Sequence, residues 1–168
     1  MSKSKQAASR WLYLVVALTL ITVDQFTKNL AIANLKLGIN YPVVGEILSW
    51  RLIYNESAAF SLGFGQTWIL AVIAAAATLA IIWFSRRVTS RSWAVMAGIF
   101  LSGVVGNLID RLTRGPSVGN GHVVDFIQIP FNFPVFNLAD VFIVSMAVLT
   151  VMRVFLGENL GGVAPRTK

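Results

Sequence analysis

Cysteine is absent from the chain, and histidine occurs once, as His122. The first absence removes disulfides, thiol nucleophiles and thiolate metal sites. The second removes multi-histidine metal centres and undercuts a Ser-His-Asp triad. Charge is scarce as well. Asp, Glu, Lys and Arg make up 12% of the 168 residues, against about 25% in an ordinary soluble domain. Acids are scarcest, at seven against fourteen Lys and Arg, which leaves +7. Such a balance raises nucleic acid as a partner, but the basic residues form no stripe with stacking aromatics. Lys3, Lys5 and Arg10, then Arg86, Arg87 and Arg91, then Arg153, Arg166 and Lys168 each flank a long apolar run. No nucleic-acid partner is expected.

What the chain has in quantity is oil, with 56% of its residues hydrophobic. Four stretches, about 11–33, 67–84, 92–109 and 137–156, approach or exceed the ~20 apolar residues that cross a bilayer. Trp11, Trp68, Trp83 and Trp93 sit at span ends, where interfacial anchors belong. The first stretch has some marks of a cleaved signal peptide: a basic start, an apolar run over 11–23 and an A-x-A at 31–33. Asp24, Lys28 and Asn29 interrupt it before that site, so it is expected to remain as a transmembrane helix. Four spans put both termini and the second connection on one side. That side holds nine of the fourteen basic residues and only Glu158 among the acids, so it is expected to be cytoplasmic. The other five are Lys28, Lys36, Arg51, Arg111 and Arg114.

Residues 34–66 and 110–136 then face outward. In "ILSWRLIYN", Leu48, Trp50, Leu52 and Tyr54 alternate with Ser49, Arg51, Ile53 and Asn55, the pattern of a strand with one apolar face. "FIQIPFNF" also reads as extended, with Pro130 suiting an edge. The expected fold class is an all-α polytopic membrane protein. Four transmembrane helices carry a small extracytoplasmic β-sheet lying on the membrane, in one embedded domain over 1–168.

The four aspartates converge on one level. At about 1.5 Å per helical residue, Asp24 lies in the outer half of the first span and Asp110 at the outer end of the third. Asp140 lies one turn inside the fourth, and Asp125 in the loop before it. Gly98, Ser102, Gly106 and Asp110 recur every four residues, a small-residue packing face that turns Asp110 into the bundle. Structural readings exist for each acid. Asn137 and Asp140 have helix-capping spacing, Asp24 and Lys28 are an i, i+4 pair, Asp110 adjoins Arg111, and Asp125 can cap a turn. Acids gathered within a membrane nonetheless mark functional sites by default, with Asn55, Asn107 and Asn137 close by. Two carboxylates held together share a proton near neutral pH. One can draw a proton from water and the other can donate to a carbonyl, with no metal or cofactor. A proton or ion path also uses membrane acids, but it needs polar groups through the whole thickness. The cytoplasmic halves of these spans are nearly bare of them. A small proton-coupled transporter and a non-enzymatic assembly protein remain as alternatives.

Five motifs in order now carry a resemblance: "DQFTK" at 24–28, "NESAAFS" at 55–61, "GVVGNLIDR" at 103–111, "VVDF" at 123–126 and "FNLAD" at 136–140. Together, on four spans, they resemble the lipoprotein signal peptidases, also called signal peptidase II. The match runs from about Trp11 to Phe155. It implies an intramembrane aspartic endopeptidase of the bacterial inner membrane. Such enzymes cut prolipoproteins just before a diacylglyceryl-modified cysteine and are blocked by globomycin-like cyclic peptides. The family's dyad falls on Asp125 and Asp140, and its supporting residues on Asp24, Asn55, Asn107, Asp110, Arg111 and Asn137. The chain departs from the family pattern at Ser57 and Ser102, where Gly is common, and in the long stretch "TRGPSVGNG" before His122. His122 reads as a loop residue outside the chemistry.

Overall fold

The computed structural model describes residues 3–56 and 67–162, with side chains from residue 9 onward. Residues 57–61 of the "NESAAFS" motif, Ser57 included, lie outside the described residues, as do Arg166, Lys168 and the side chains of Lys3 and Lys5. Four helices, α1 (Lys3–Asn34), α2 (Thr67–Ser85), α3 (Arg91–Thr113) and α4 (Leu138–Phe155), are long and apolar enough to cross a membrane. Over half of the apolar stretch of α3 is buried inside the protein, whereas few residues of α2 and α4 are fully buried. Apolar faces of that extent need lipid rather than water against them, and the protein is a multi-pass membrane protein.

α3 is the central helix, packed against α1, α2 and α4. Without a hydrophobic drive between helices in lipid, close approach depends on small residues. Gly98 is such a residue, since a Cβ there would meet the Tyr13 carbonyl of α1 at 2.8 Å. One face along, a Cβ at Gly103 would meet the Ala139 carbonyl of α4 at 2.5 Å. Ser102 is fully buried on the same packing surface and spends its hydroxyl on the Ile99 carbonyl of its own helix, at 2.6 Å. The small-residue face read from the sequence is thus the α1–α3 seam, and it delivers Asp110 to the interior.

β1 (Asn40–Val44), β2 (Leu48–Asn55) and β3 (Val123–Gln128) form an antiparallel sheet in that order. β2 lies where the alternation predicts it. The expected division into an apolar and a polar face holds only in part, because Ser49 is buried and Tyr54 is exposed. The β2–β3 register shifts between Trp50 and Ile53, and such an irregularity re-aims the side chains beyond it. "FIQIPFNF" is not extended throughout. The strand ends at Gln128, and the chain turns through Phe131 and Asn132, both at positive φ (64° and 54°). It returns to pair Phe136 with Ile127.

Trp11, Trp68 and Trp83 are exposed at helix ends, as anchors would be, but Trp93 is not. It is buried in the core with Tyr13, Ala17 and Met146, and the Arg153 guanidinium lies 4.8 Å over its ring. Along α1 the sequence of environments is apolar (Tyr13, Ala17), then polar (Asp24, Lys28), then apolar again (Ala31, in the core beneath the sheet). A polar layer therefore sits between two apolar cores.

Candidate active site

Two carboxylates stand in the polar layer on separate elements. Asp125 lies in the middle of β3, which Phe126, Ile127 and Val124 anchor to the apolar core beneath the sheet. It is not a turn cap. Asp140 is in the first turn of α4, whose N-cap is Asn137. The Asn137 side chain accepts the Asp140 N–H at 3.1 Å, and Asp140 Oδ2 accepts the Asn137 N–H at 3.1 Å. This is a reciprocal cap, which satisfies helix-end donors that would otherwise lack partners. The capping reading of the sequence is correct, and Asn137 does more. Its Nδ2 reaches across to Asp125 Oδ1 at 2.6 Å. One amide thus caps a helix and ties the strand carboxylate to it.

Each carboxylate oxygen has one donor. Asn55 Nδ2, from the end of β2, donates to Asp125 Oδ2 at 2.8 Å. Asn107 Nδ2, from α3, donates to Asp140 Oδ1 at 2.8 Å. Asp125 is 2% exposed, whereas Asp140 is half-buried. Burial, and next the charge of Asp140, push the Asp125 carboxyl up to about 7, against the opposing bonds from Asn55 and Asn137. Asp125 can therefore hold a proton near neutral pH.

Behind it lies an ionic layer. Lys28 is fully buried, with Nζ 3.0 Å from Asp24 Oδ2 and 2.9 Å from Asp110 Oδ2. Asp110 also receives Arg114 Nε at 2.8 Å and Gln25 Nε2 at 3.1 Å. The sequence pairs Asp110 with its neighbour Arg111, and the structure corrects this. Successive helical residues point about 100° apart, so Arg114, at i+4, shares the face of Asp110 and Arg111 does not. Arg111 instead donates to the Asn107 carbonyl at 3.3 Å and interacts electrostatically with Asp140, Asp110 and Asp125. Asp24 and Asp110 accept the backbone N–H of the residue before Asp140 and before Asp125, respectively. Asp24 Oδ1 takes that of Ala139 at 3.1 Å, and Asp110 Oδ2 takes that of Val124 at 3.1 Å. Close approach of α1 requires Gly106, because a Cβ there would run into Asp24 Oδ2.

All eight residues singled out in the sequence thus belong to one polar region. The reading of the residues missed Gln25 and Arg114 and left Lys28 as a mere neighbour of Asp24. The i+4 spacing of Asp110 and Arg114 was the available signal. The 113–121 stretch folds back on the end of α3, with the Gly121 N–H on the Arg111 carbonyl at 2.9 Å. It also reaches α2 through Asn120, whose Oδ1 accepts from Thr67 Oγ1 at 3.2 Å. His122 follows in a loop, its Nδ1 3.6 Å from Glu56 Oε1.

Residues 16–156 match the family model described as signal peptidase (SPase) II. A lipoprotein signal peptidase of Leifsonia xyli subsp. xyli is 43% identical over 88% of this chain and 68% of its own length. One from Mycobacterium avium (strain 104) is 41% identical over 94% of this chain and 86% of its own. A solved bacterial membrane enzyme shares the fold, with a TM-score of 0.75 at 24% identity over 93% of this chain and 94% of that one.

Proposed function

Because the chain belongs to the signal peptidase II family, we propose that it removes signal peptides from prolipoproteins as an intramembrane aspartic endopeptidase. The cut falls before the diacylglyceryl-modified cysteine, and the whole chain serves as a single embedded peptidase domain. The observation that carries the reading is the pairing of Asp125 and Asp140 through Asn137, with every carboxylate oxygen fixed by a donor. Asp140, the more open member, takes a proton from an attacking water as its oxygen bonds to the scissile carbonyl carbon. Asp125 gives its proton to the carbonyl oxygen. The tetrahedral diol then collapses: the amine leaves with the proton that Asp140 received, and a diol hydroxyl returns its proton to Asp125. Transport finds less support, because Tyr13, Ala17, Leu101 and Met146 fill the bundle below the polar layer with apolar surface.

The acylated cysteine would stay in lipid as the peptide reaches the dyad, each buried CH₂ contributing about 0.8 kcal/mol. Purified protein is therefore expected to cut a diacylglyceryl prolipoprotein and to leave the unlipidated precursor intact. Equal cutting of both, or cutting at a site not preceding a cysteine, overturns the reading. Globomycin-like cyclic peptides should compete with the lipidated substrate.

The active form carries one proton, and Asp125 loses it as pH rises through about 7. The single-turnover rate should consequently fall on the alkaline side, with a limb near that pH and a macroscopic midpoint belonging to the pair. A rate that stays level to pH 9 contradicts the assignment of Asp125 as the proton donor.

We further propose a bacterial inner-membrane location, cytoplasmic termini, and a site near the outer face under a sheet resting on the membrane. The basic residues carry this placement. Reporter fusions in the 86–91 connection should report the cytoplasm, and an outside signal reverses the orientation.

A further inference from the structure

Lys28 is the largest fully buried side chain among the described residues and is absent from the proposed chemistry. An ammonium has three N–H donors and no acceptor. Here all three are spent, on Asp24 Oδ2, Asp110 Oδ2 and Asn107 Oδ1, the last at 2.9 Å. A group that can only donate forces Asn107 to turn its oxygen inward. Its Nδ2 is left to face Asp140. The same oxygen accepts Asn137 Nδ2 at 3.3 Å, and that Nδ2 also holds Asp125. The other two bonds run to the carboxylates that grip the backbone at Ala139 and Val124, the residues preceding Asp140 and Asp125. From one nitrogen, each of the three bonds leads on to a dyad residue or to the residue before it.

We propose that Lys28 is a positioning residue for the reaction, fixing which way the Asn107 amide points and so holding both dyad aspartates in register. The proposal rests on the dyad reading above. Without the ammonium, Asn107 Oδ1 keeps only the longer bond from Asn137 Nδ2, at 3.3 Å, and a flipped amide, which turns an oxygen toward the Asp140 carboxylate, becomes easier to reach. The geometry for proton exchange is then lost while the apolar surfaces that meet substrate are untouched.

The test is a double-mutant cycle on single-turnover cleavage of a diacylglyceryl prolipoprotein. Lys28→Met should lower the saturated rate on the order of 10- to 100-fold, the range seen when a group supporting a site's direct contacts is removed, with KM changed less than about threefold. On an Asn107→Ala background, the same change should cost less than about threefold more, because the amide it controls is gone. If the two losses multiply, or if Lys28→Met raises KM and spares kcat, Lys28 does not act through Asn107 and the proposal fails. Should Lys28→Met yield little folded protein, the cycle is run with Lys28→Met/Asp24→Asn against Asp24→Asn, which keeps the buried charge balanced. Asp125→Asn and Asp140→Asn are measured alongside. Activity in either sinks the dyad reading itself, whereas two inactive variants with a multiplicative cycle sink only the role of Lys28.

Discussion

With Asp125 or Asp140 changed to Asn, cleavage of a lipidated precursor falls by about 10⁴-fold or more, the scale on which a catalytic unit loses a member. The protein remains folded. Asn matches Asp in size but cannot exchange a proton with water. Each change also sets one NH₂ against an existing donor, since both oxygens of each carboxylate are already bonded. At Asp125 that conflict falls on a side-chain amide, from Asn55 or Asn137. At Asp140 it falls on the helix cap, so Asp140→Asn should melt slightly earlier. Thermal melting in detergent beside single-turnover cleavage separates the two effects, and a folded, active Asp125→Asn would place the dyad elsewhere.

Asp110→Asn should show the opposite profile, losing stability first. Asp110 takes four donors, from Lys28, Arg114, Gln25 and the Val124 backbone. An Asn there can accept on one oxygen only, and it leaves Lys28 with less of its neutralising charge. Breaking a buried pair typically costs about 3–5 kcal/mol. For a chain of this size that lowers Tm by roughly 10 °C. Activity per folded molecule should drop yet persist, because β3 keeps its pairing with β2. A variant with unchanged Tm and no activity would move Asp110 from the scaffold into the chemistry.

The helices were legible because lipid demands long apolar runs and nothing else supplies them. The α1–α3 seam was legible because Gly98, Ser102, Gly106 and Asp110 repeat locally. β1 was not: Asn40–Val44 is five residues, contains Pro42, and exists by pairing with β2. The turn at Phe131 and Asn132 was hidden because Phe does not favour the left-handed backbone it adopts, and Asn132, although asparagine is enriched there, does not mark a turn by itself. Trp93 misled because position along a helix does not say which side it faces. In the site, the asparagines could be named but not aimed. The direction of Asn107 depends on Lys28, which is 79 residues away and brought near only by the fold.

The ion pairs also bear on how the chain enters the bilayer. Lys28 is four residues from Asp24, and Arg114 four residues from Asp110. Asp24 and Asp110 thus each have a counter-charge one turn away, which lowers the cost of taking the acid into lipid. Asp24 has its partner within α1 before α3 is synthesised. Once α3 arrives, Lys28 binds Asp110 as well as Asp24, and the two local pairs become one shared ionic joint.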